Sequence, residues 1–277
     1  MPMYINTNVA SLAAQKNLGA SQMALAKSFN KLSSGSRINT AADDAAGLAI
    51  SESMKSQIRS YNVSERNAND AVSMAQTAEG SLGTVTDILG RMRELATQGA
   101  NGALQSADRA YLGTEFKQLQ SEISRVLTST KFNGQSVINA SSTLNFQVGI
   151  NNTAADRITL TFGARTTALS AAFTTGTTSV TGSAGNAQKA LDQIDAALSA
   201  VSTSRAKFGA AMNRFESVTS NIQTVRLNIS AANSRIRDVD VAEETATLSR
   251  TQVLTQAGTS ILAQANQSPQ AALGLLR

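Results

Sequence analysis

Apolar residues recur along this chain at steps of three, four and seven, and the stretches in which they do so are long. Ile5, Val9 and Leu12 open the pattern, and Leu25, Phe29 and Leu32 repeat its four-then-three step, which predicts an amphipathic helix over 5–32. Residues 33–44, SSGSRINTAADD, break the period with Ser, Gly and Asn, and either Asp43 or Asp44 is placed to cap the helix that follows. From about 45 to 98, Met54, Tyr61, Ala68, Ala75, Leu82, Leu89 and Ala96 stand seven apart, with Ile58, Val72, Val85 and Met92 in a second row. A helix of that length reaches roughly 80 Å. QGANGA at 98–103 closes it, with Gly99 and Gly102 as C-terminal breakers. Leu112, Phe116, Leu119, Ile123 and Val126 then predict a shorter helix over about 104–129.

The period changes at residue 130. KFNGQSVI contains an Asn-Gly turn. Leu144, Phe146 and Val148, then Ile158, Leu160 and Phe162, alternate with polar neighbours on either side of a turn, as in a pair of half-buried strands. Sixteen of the 43 residues from 141 to 183 are Ser or Thr, so this β-region presents a polar outer surface that is either simply solvated or open to O-linked glycans.

The longest regular seam follows. Ala187, Ile194, Val201, Phe208, Phe215, Ile222, Ile229 and Ile236 keep strict heptad spacing, accompanied by Leu191, Leu198, Met212, Val218, Val225 and Ala232, with Arg205 as the one intruder. A stripe sustained this long predicts a partner helix and a left-handed supercoil. The last helix, over about 239–276, places Val241, Leu248 and Leu262 in one row and Leu254 with Ile261 in another, and carries Leu273, Leu275 and Leu276 at its end. Ser268-Pro269 reads as a cap and first-turn proline, where the helix restarts or bends and continues.

Composition narrows what such helices do. Of 277 residues 42% are apolar but only 4% aromatic, with two prolines and no Trp, which favours thin, closely approached helix interfaces over a sandwich, a barrel or a thick core. The absence of Cys and His removes disulfides, thiol nucleophiles, Cys-ligated metals, HExxH zinc sites and imidazole bases. The pairs Asp43-Asp44 and Glu243-Glu244 stand at helix starts, where the dipole favours carboxylates, a better reading than acid/base dyads. The expectation is a non-enzyme with no cofactor, no metal and no catalytic residue.

The net charge of +5 arises largely in residues 1–42, which hold Lys16, Lys27, Lys31 and Arg37 and no acid. Elsewhere basic residues alternate with acids, unlike a nucleic-acid-binding face. A mitochondrial presequence shares the acid-poor amphipathic character but is richer in Arg. No run of about 20 apolar residues exists for membrane insertion, and no cleavable signal pattern is present, so export is expected without one.

Both ends of the chain are thus helices with narrow apolar stripes, each joined to a longer helical body. Pairing them as a two-helix coiled coil buries one side of each and leaves apolar surface outside, which drives association. Head-to-tail contacts that do not close a ring make a helical filament.

Four stretches of the first half, INTNVASLAAQKNL (5–18), KLSSGSRINTAADDAAGLAIS (31–51), RNANDAVSMAQTAEGSL (66–82) and RMRELATQGANG (91–102), resemble bacterial flagellin, as does the whole of 229–277. The likeness covers roughly 1–139 and 185–277. It implies a mainly α fold of long antiparallel helices forming coiled coils, with a small β-hairpin region. Residues 1–43 and 238–277 correspond to an inner terminal coiled-coil domain. Residues 44–139 and 185–237 correspond to a helical rod domain, and 140–184 to a short exposed region in place of large outer domains.

The resemblance also implies function: a self-polymerising subunit of the flagellar filament, exported unfolded through a type III apparatus and assembled outside the cell at the distal tip. An export chaperone, a cap and hook-junction proteins are its implied partners. Ile5, Val9, Leu12, Leu25, Phe29, Leu32, Val241, Leu248, Leu254, Ile261, Leu262, Leu273, Leu275 and Leu276 are then the assembly residues. Met54, Ile58, Tyr61, Leu82, Leu89, Ile194, Val201, Phe208, Phe215, Ile222, Ile229 and Ile236 form the rod core. Arg91, Leu95, Gln98 and Glu115 match positions that touch a neighbouring subunit and, in many flagellins, a vertebrate innate immune receptor; as residues alone, Arg91 and Glu115 also read as solvent charges. A hook–filament junction protein and a cytosolic coiled-coil adaptor are the rival readings.

Overall fold

Five helices account for most of the chain in a computed structural model that describes residues 7–138, 142–162 and 178–274. They are α1 (Val9–Ser34), α2 (Ala45–Gly99), α3 (Ser106–Ser129), α4 (Ala184–Arg237) and α5 (Val241–Gly274). Two small antiparallel hairpins lie between α3 and α4: β1 (Lys131–Phe132) with β2 (Gln135–Ser136), and β3 (Ser142–Gln147) with β4 (Arg157–Phe162). The fold is therefore the mainly α architecture that the heptad rows predict. Residues 163–177, part of the Ser/Thr-rich stretch, lie outside the described residues, as do Ile5, Leu275 and Leu276 and the side chain of Leu273.

Local signals set the helix starts. The Asn8 side chain accepts from Ser11 N at 3.0 Å to cap α1, Asp44 accepts from Gly47 N at 2.8 Å to cap α2, and Asp240 accepts from Ala242 N and Glu243 N at the head of α5. α3 opens with a capping box between Gln105 and Asp108. Pro269 falls within α5, which runs through to Gly274.

The end of α2 departs from expectation. Neither Gly99 nor Gly102 takes the left-handed conformation of a glycine cap. Instead Arg109, 7% exposed, reaches back from α3 and donates from Nε to Gly99 O and from Nη2 to Asn101 O, each at 2.8 Å. A cation thus satisfies carbonyls at a helix C-terminus, where the dipole is negative. Arg109→Met leaves the buried Gly99 carbonyl without this donor, and a loss of about 2 kcal/mol in unfolding free energy is expected from urea melts.

The chain divides into two units, one built from the stretches ending at Ile58 and beginning at Leu227, the other running from Arg59 to Arg226. In the second, one core is shared by α2, α3, α4 and the β3–β4 hairpin. Leu82, Leu89, Met92, Phe116, Ile123, Ile194, Val201 and Phe215 are all buried in it. The hairpin pairs Leu144 with Leu160 and Phe146 with Ile158. Along β4, Ile158, Leu160 and Phe162 face inward while Arg157, Thr159 and Thr161 face out, the alternation that the sequence predicts. Asn133 and Gly134, at φ 47° and 80°, make the tight turn between β1 and β2, for which left-handed conformers are required.

Arg205, the intruder in the α4 seam, donates from Nε and Nη2 to Glu79 of α2 at 2.9 and 2.6 Å. Arg226 with Glu65 and Arg93 with Asp195 add further ion pairs between the same two helices, so charge pairing fixes their register alongside the apolar rows. The core row fades at one end. Met54, Ile58, Tyr61, Ile229 and Ile236 are only half-buried.

Candidate assembly surface

α1 and α5 pack antiparallel along their length, and hydrogen bonds mark the register. Asn8 Nδ2 donates to Ala265 O at 2.8 Å and Ser11 Oγ to Asn266 Oδ1 at 2.7 Å near one end of the pair. Lys31 Nζ meets Glu244 Oε2 at 3.5 Å near the other. Between them the backbones approach closely: a Cβ added at Gly258 would stand 3.2 Å from Leu18 Cδ1 and 3.9 Å from Leu18 Cα, so glycine is the residue this crossing accommodates without displacement.

The residues shielded in the seam alternate at steps of three and four. On α1 they are Ser11, Ala14, Leu18, Ser21, Leu25, Ser28 and Leu32, and on α5 Glu244, Leu248, Thr251, Thr255, Gly258, Leu262 and Ala265. Four of the sequence-predicted residues are among them: Leu25, Leu32, Leu248 and Leu262. The others with described side chains are not. Val9, Leu12, Phe29, Val241, Leu254 and Ile261 are between 51% and 65% exposed, and Met23 and Val253, absent from the predicted set, are exposed as well. The predicted stripe thus mixes two faces. Its members that fall on the 3.5-residue period of the seam turn inward, and the rest point away from the partner helix. Ser, Thr, Ala and Gly hold most seam positions, and hydropathy patterning passes over them because they are not apolar enough to register.

Tight polar geometry joins this pair to α2 and α4 within the same unit. Ser36 and Asp238 form an antiparallel bridge. Arg37 N donates to Arg237 O at 2.6 Å, its Nη2 to Ile236 O at 2.7 Å, and Arg237 reaches Glu52 at 2.6 Å. The two aspartates expected at the α2 start divide the labour. Asp44 caps the helix, while Asp43 accepts from the Asn39 and Thr40 amides and pairs with Lys27 of α1 at 2.8 Å.

The Lys27 ammonium first, then the two amides, hold the Asp43 carboxyl far below its usual value of 3.8. A depressed carboxylate pKa stabilises the fold at pH above the unfolded value, and the contribution fades as pH falls towards the folded one. Asp43→Asn is therefore expected to lower the melting temperature by a constant amount above about pH 5, with the gap closing below about pH 4. An unchanged gap from pH 7 to pH 2 would count against the assignment.

On α2 and α3 the remaining predicted contact residues separate. Arg91 donates from Nε to Glu115 at 2.9 Å and from Nη1 to Glu94 at 2.8 Å, an exposed triad that raises the Arg91 pKa, chiefly through Glu115. Gln98 is exposed beside it. Leu95, expected with them as a surface contact, is 2% exposed and belongs to the core, because it falls on the inner face of α2 next to the Leu89–Ala96 row. Exposed pairs of this kind contribute little to stability.

Among the described residues there is no group of three or more side chains able to hold a metal ion, and no helix is long and apolar enough to cross a membrane.

Comparison with known proteins gives two family matches. Residues 5–143 match the bacterial flagellin N-terminal helical region, and 191–276 match the bacterial flagellin C-terminal helical region. A flagellin of Halalkalibacterium halodurans is 46% identical over 279 residues, covering 99% of this chain and all of that protein. The flagellar filament 33 kDa core protein of Treponema phagedenis is 38% identical over 288 residues, covering 99% of this chain and all of its own. The crystal structure of Bacillus cereus flagellin is 31% identical, covers 61% of this chain and 94% of that one, and superposes with a TM-score of 0.49.

Proposed function

The chain belongs to the bacterial flagellin family, and from that premise we infer that its work is mechanical: it is the structural subunit of a flagellar filament, polymerising with copies of itself to form the propeller of swimming motility. The observation that carries the assembly mechanism is the outward apolar set on α1 and α5. Val9, Leu12, Met23 and Phe29, with Val253, Leu254 and Ile261, are large side chains turned from their only partner helix among the described residues. A water-exposed set of this size on one helix pair calls for further protein against it, and in a homopolymer that protein is the next copy.

On this reading 1–43 and 238–277 form the inner layer, 44–139 and 185–237 the rod, and 140–184 the outer surface. The subunit travels unfolded through a type III apparatus and is added beneath a distal cap. Before export a chaperone covers the C-terminal segment, and hook-junction proteins seat the first subunits. Arg91, Gln98 and Glu115 contribute to contacts between successive subunits, and the same exposed group suits a vertebrate innate immune receptor when the subunit is free. Leu95 takes no direct part in such contacts, since the core holds it.

A rival junction protein would cap or connect without growing. The discriminating experiment is to express the chain in a motile bacterium deleted for its own filament subunit. Long extracellular filaments and restored swimming are expected. Bare hooks with the chain accumulating as monomer in the medium would overturn the assignment.

A further inference from the structure

The loop between α2 and α3 has a chemical property that filament assembly does not use. Asn101 is followed by Gly102, and both are exposed. The Asn101 side-chain oxygen accepts a hydrogen bond from Ala103 N at 3.0 Å. Its backbone is anchored on both sides: Asn101 N donates to Gln98 O at 3.2 Å, and Asn101 O accepts from Arg109 Nη2 at 2.8 Å and from Leu104 N at 3.3 Å. Gly102 N, by contrast, donates to no group among the described residues, and a Cβ at Gly102 would meet nothing within 4 Å. An unengaged amide nitrogen thus adjoins a side-chain carbonyl polarised by a fixed N–H donor, with no side chain in the way.

We propose that Asn101 is a site of spontaneous deamidation, converting the loop between α2 and α3 from a neutral to a charged one as the protein ages. The deprotonated Gly102 nitrogen attacks Asn101 Cγ. Negative charge develops on the side-chain oxygen, where the Ala103 N–H stabilises it as an oxyanion donor does. The Cγ–N bond then breaks, the side-chain nitrogen leaves as ammonia, and a five-membered succinimide remains. Water adds to either of its carbonyls to give aspartate or isoaspartate, with no change of oxidation state. The new carboxylate belongs to the residue whose backbone carbonyl Arg109 holds, so the product adds a negative charge to the loop between α2 and α3.

The second Asn-Gly pair serves as an internal control. Asn133 and Gly134 form the β1–β2 turn, with Asn133 held in the left-handed region between the pairs Lys131–Ser136 and Phe132–Gln135. Ring closure there requires the hairpin to open.

The test is peptide mass mapping of the full chain, incubated as monomer at pH 8 and 37 °C. Cleavage after Arg93 and Arg109 releases Asn101 in a peptide that contains no other Asn. Asn101 should convert to a mixture of aspartate and isoaspartate about tenfold faster than Asn133, the factor that one hydrogen bond's worth of stabilisation supplies. Ala103→Pro, which deletes the N–H donor, should slow conversion about tenfold. Gly102→Ala, for which the loop has room, should slow it without unfolding the protein, as circular dichroism would verify. Conversion of Asn133 at the same rate or faster, or an undiminished Asn101 rate in both variants, would overturn the proposal.

Discussion

Phe29→Gln combined with Ile261→Gln is expected to leave the free subunit as stable as before and to stop filament growth. Both side chains are more than half exposed, Phe29 at 64% and Ile261 at 56%, and surface substitutions away from special features change stability by about 0.5 kcal/mol or less. Gln keeps helix propensity close to that of the residues it replaces. On the proposed assembly the same side chains are covered by neighbouring copies, where burial would contribute about 1.5–3 kcal/mol each. Losing both removes about 3–6 kcal/mol per subunit, a rise of at least a hundredfold in critical concentration. Sedimentation at a series of protein concentrations reads this directly. Leu25→Gln with Leu248→Gln is the informative contrast, because those leucines sit in the α1–α5 seam and their loss should weaken the pair itself.

Phe215→Ala is the second large effect, and it falls on the rod. Phe215 is fully buried, and its ring meets Phe146 edge-on at a centroid distance of 5.6 Å. Phe146 in turn meets Phe162 at 6.5 Å, and Phe162 meets Phe208 at 5.6 Å. Four of the eight phenylalanines of the chain therefore fasten the β3–β4 hairpin to α4. Truncation opens a void in a core otherwise rich in Ala. Truncation is expected to cost about 3–5 kcal/mol, seen in thermal unfolding as a fall of about 10 °C. A loss below 1 kcal/mol would mean that the hairpin is held by something else. Release of the hairpin should precede loss of helix, since α2 and α4 keep their ion pairs at Glu79–Arg205 and Arg93–Asp195.

Much of the fold was legible because its signals are local and periodic. The heptad row from Ala187 to Ile236 is α4 almost residue for residue, and the rows of Met54 and Ile58 give α2. The alternation at Ile158, Leu160 and Phe162 fixes the face of β4 towards the core. What escaped the sequence depends on partners distant along the chain or on side chains with no hydropathy signal. Arg109 belongs to no apolar row, yet it closes the end of α2, because its carbonyl partners are the last residue of α2 and Asn101 in the loop that follows. Arg205 reads as an intruder until Glu79 is placed opposite it. The α1–α5 seam is the clearest case. A search for apolar stripes selects Val9, Leu12, Phe29 and Ile261, which face outward, and misses Ser11, Ser28, Thr251 and Gly258, which face the partner. Close helix approach favours small side chains, so hydropathy alone finds Leu25, Leu32, Leu248 and Leu262 in the seam but mixes them with residues of the outward face.

The most direct test of the account is seeded polymerisation. Purified subunit is mixed with sheared filament fragments and followed by sedimentation and negative-stain microscopy, alongside chains lacking 1–32 or 258–277 and the Phe29→Gln, Ile261→Gln variant. Long filaments from the full chain, and none from either deletion or the double variant, are the expected result. A soluble oligomer of fixed size under every condition, unchanged by the deletions, would contradict it.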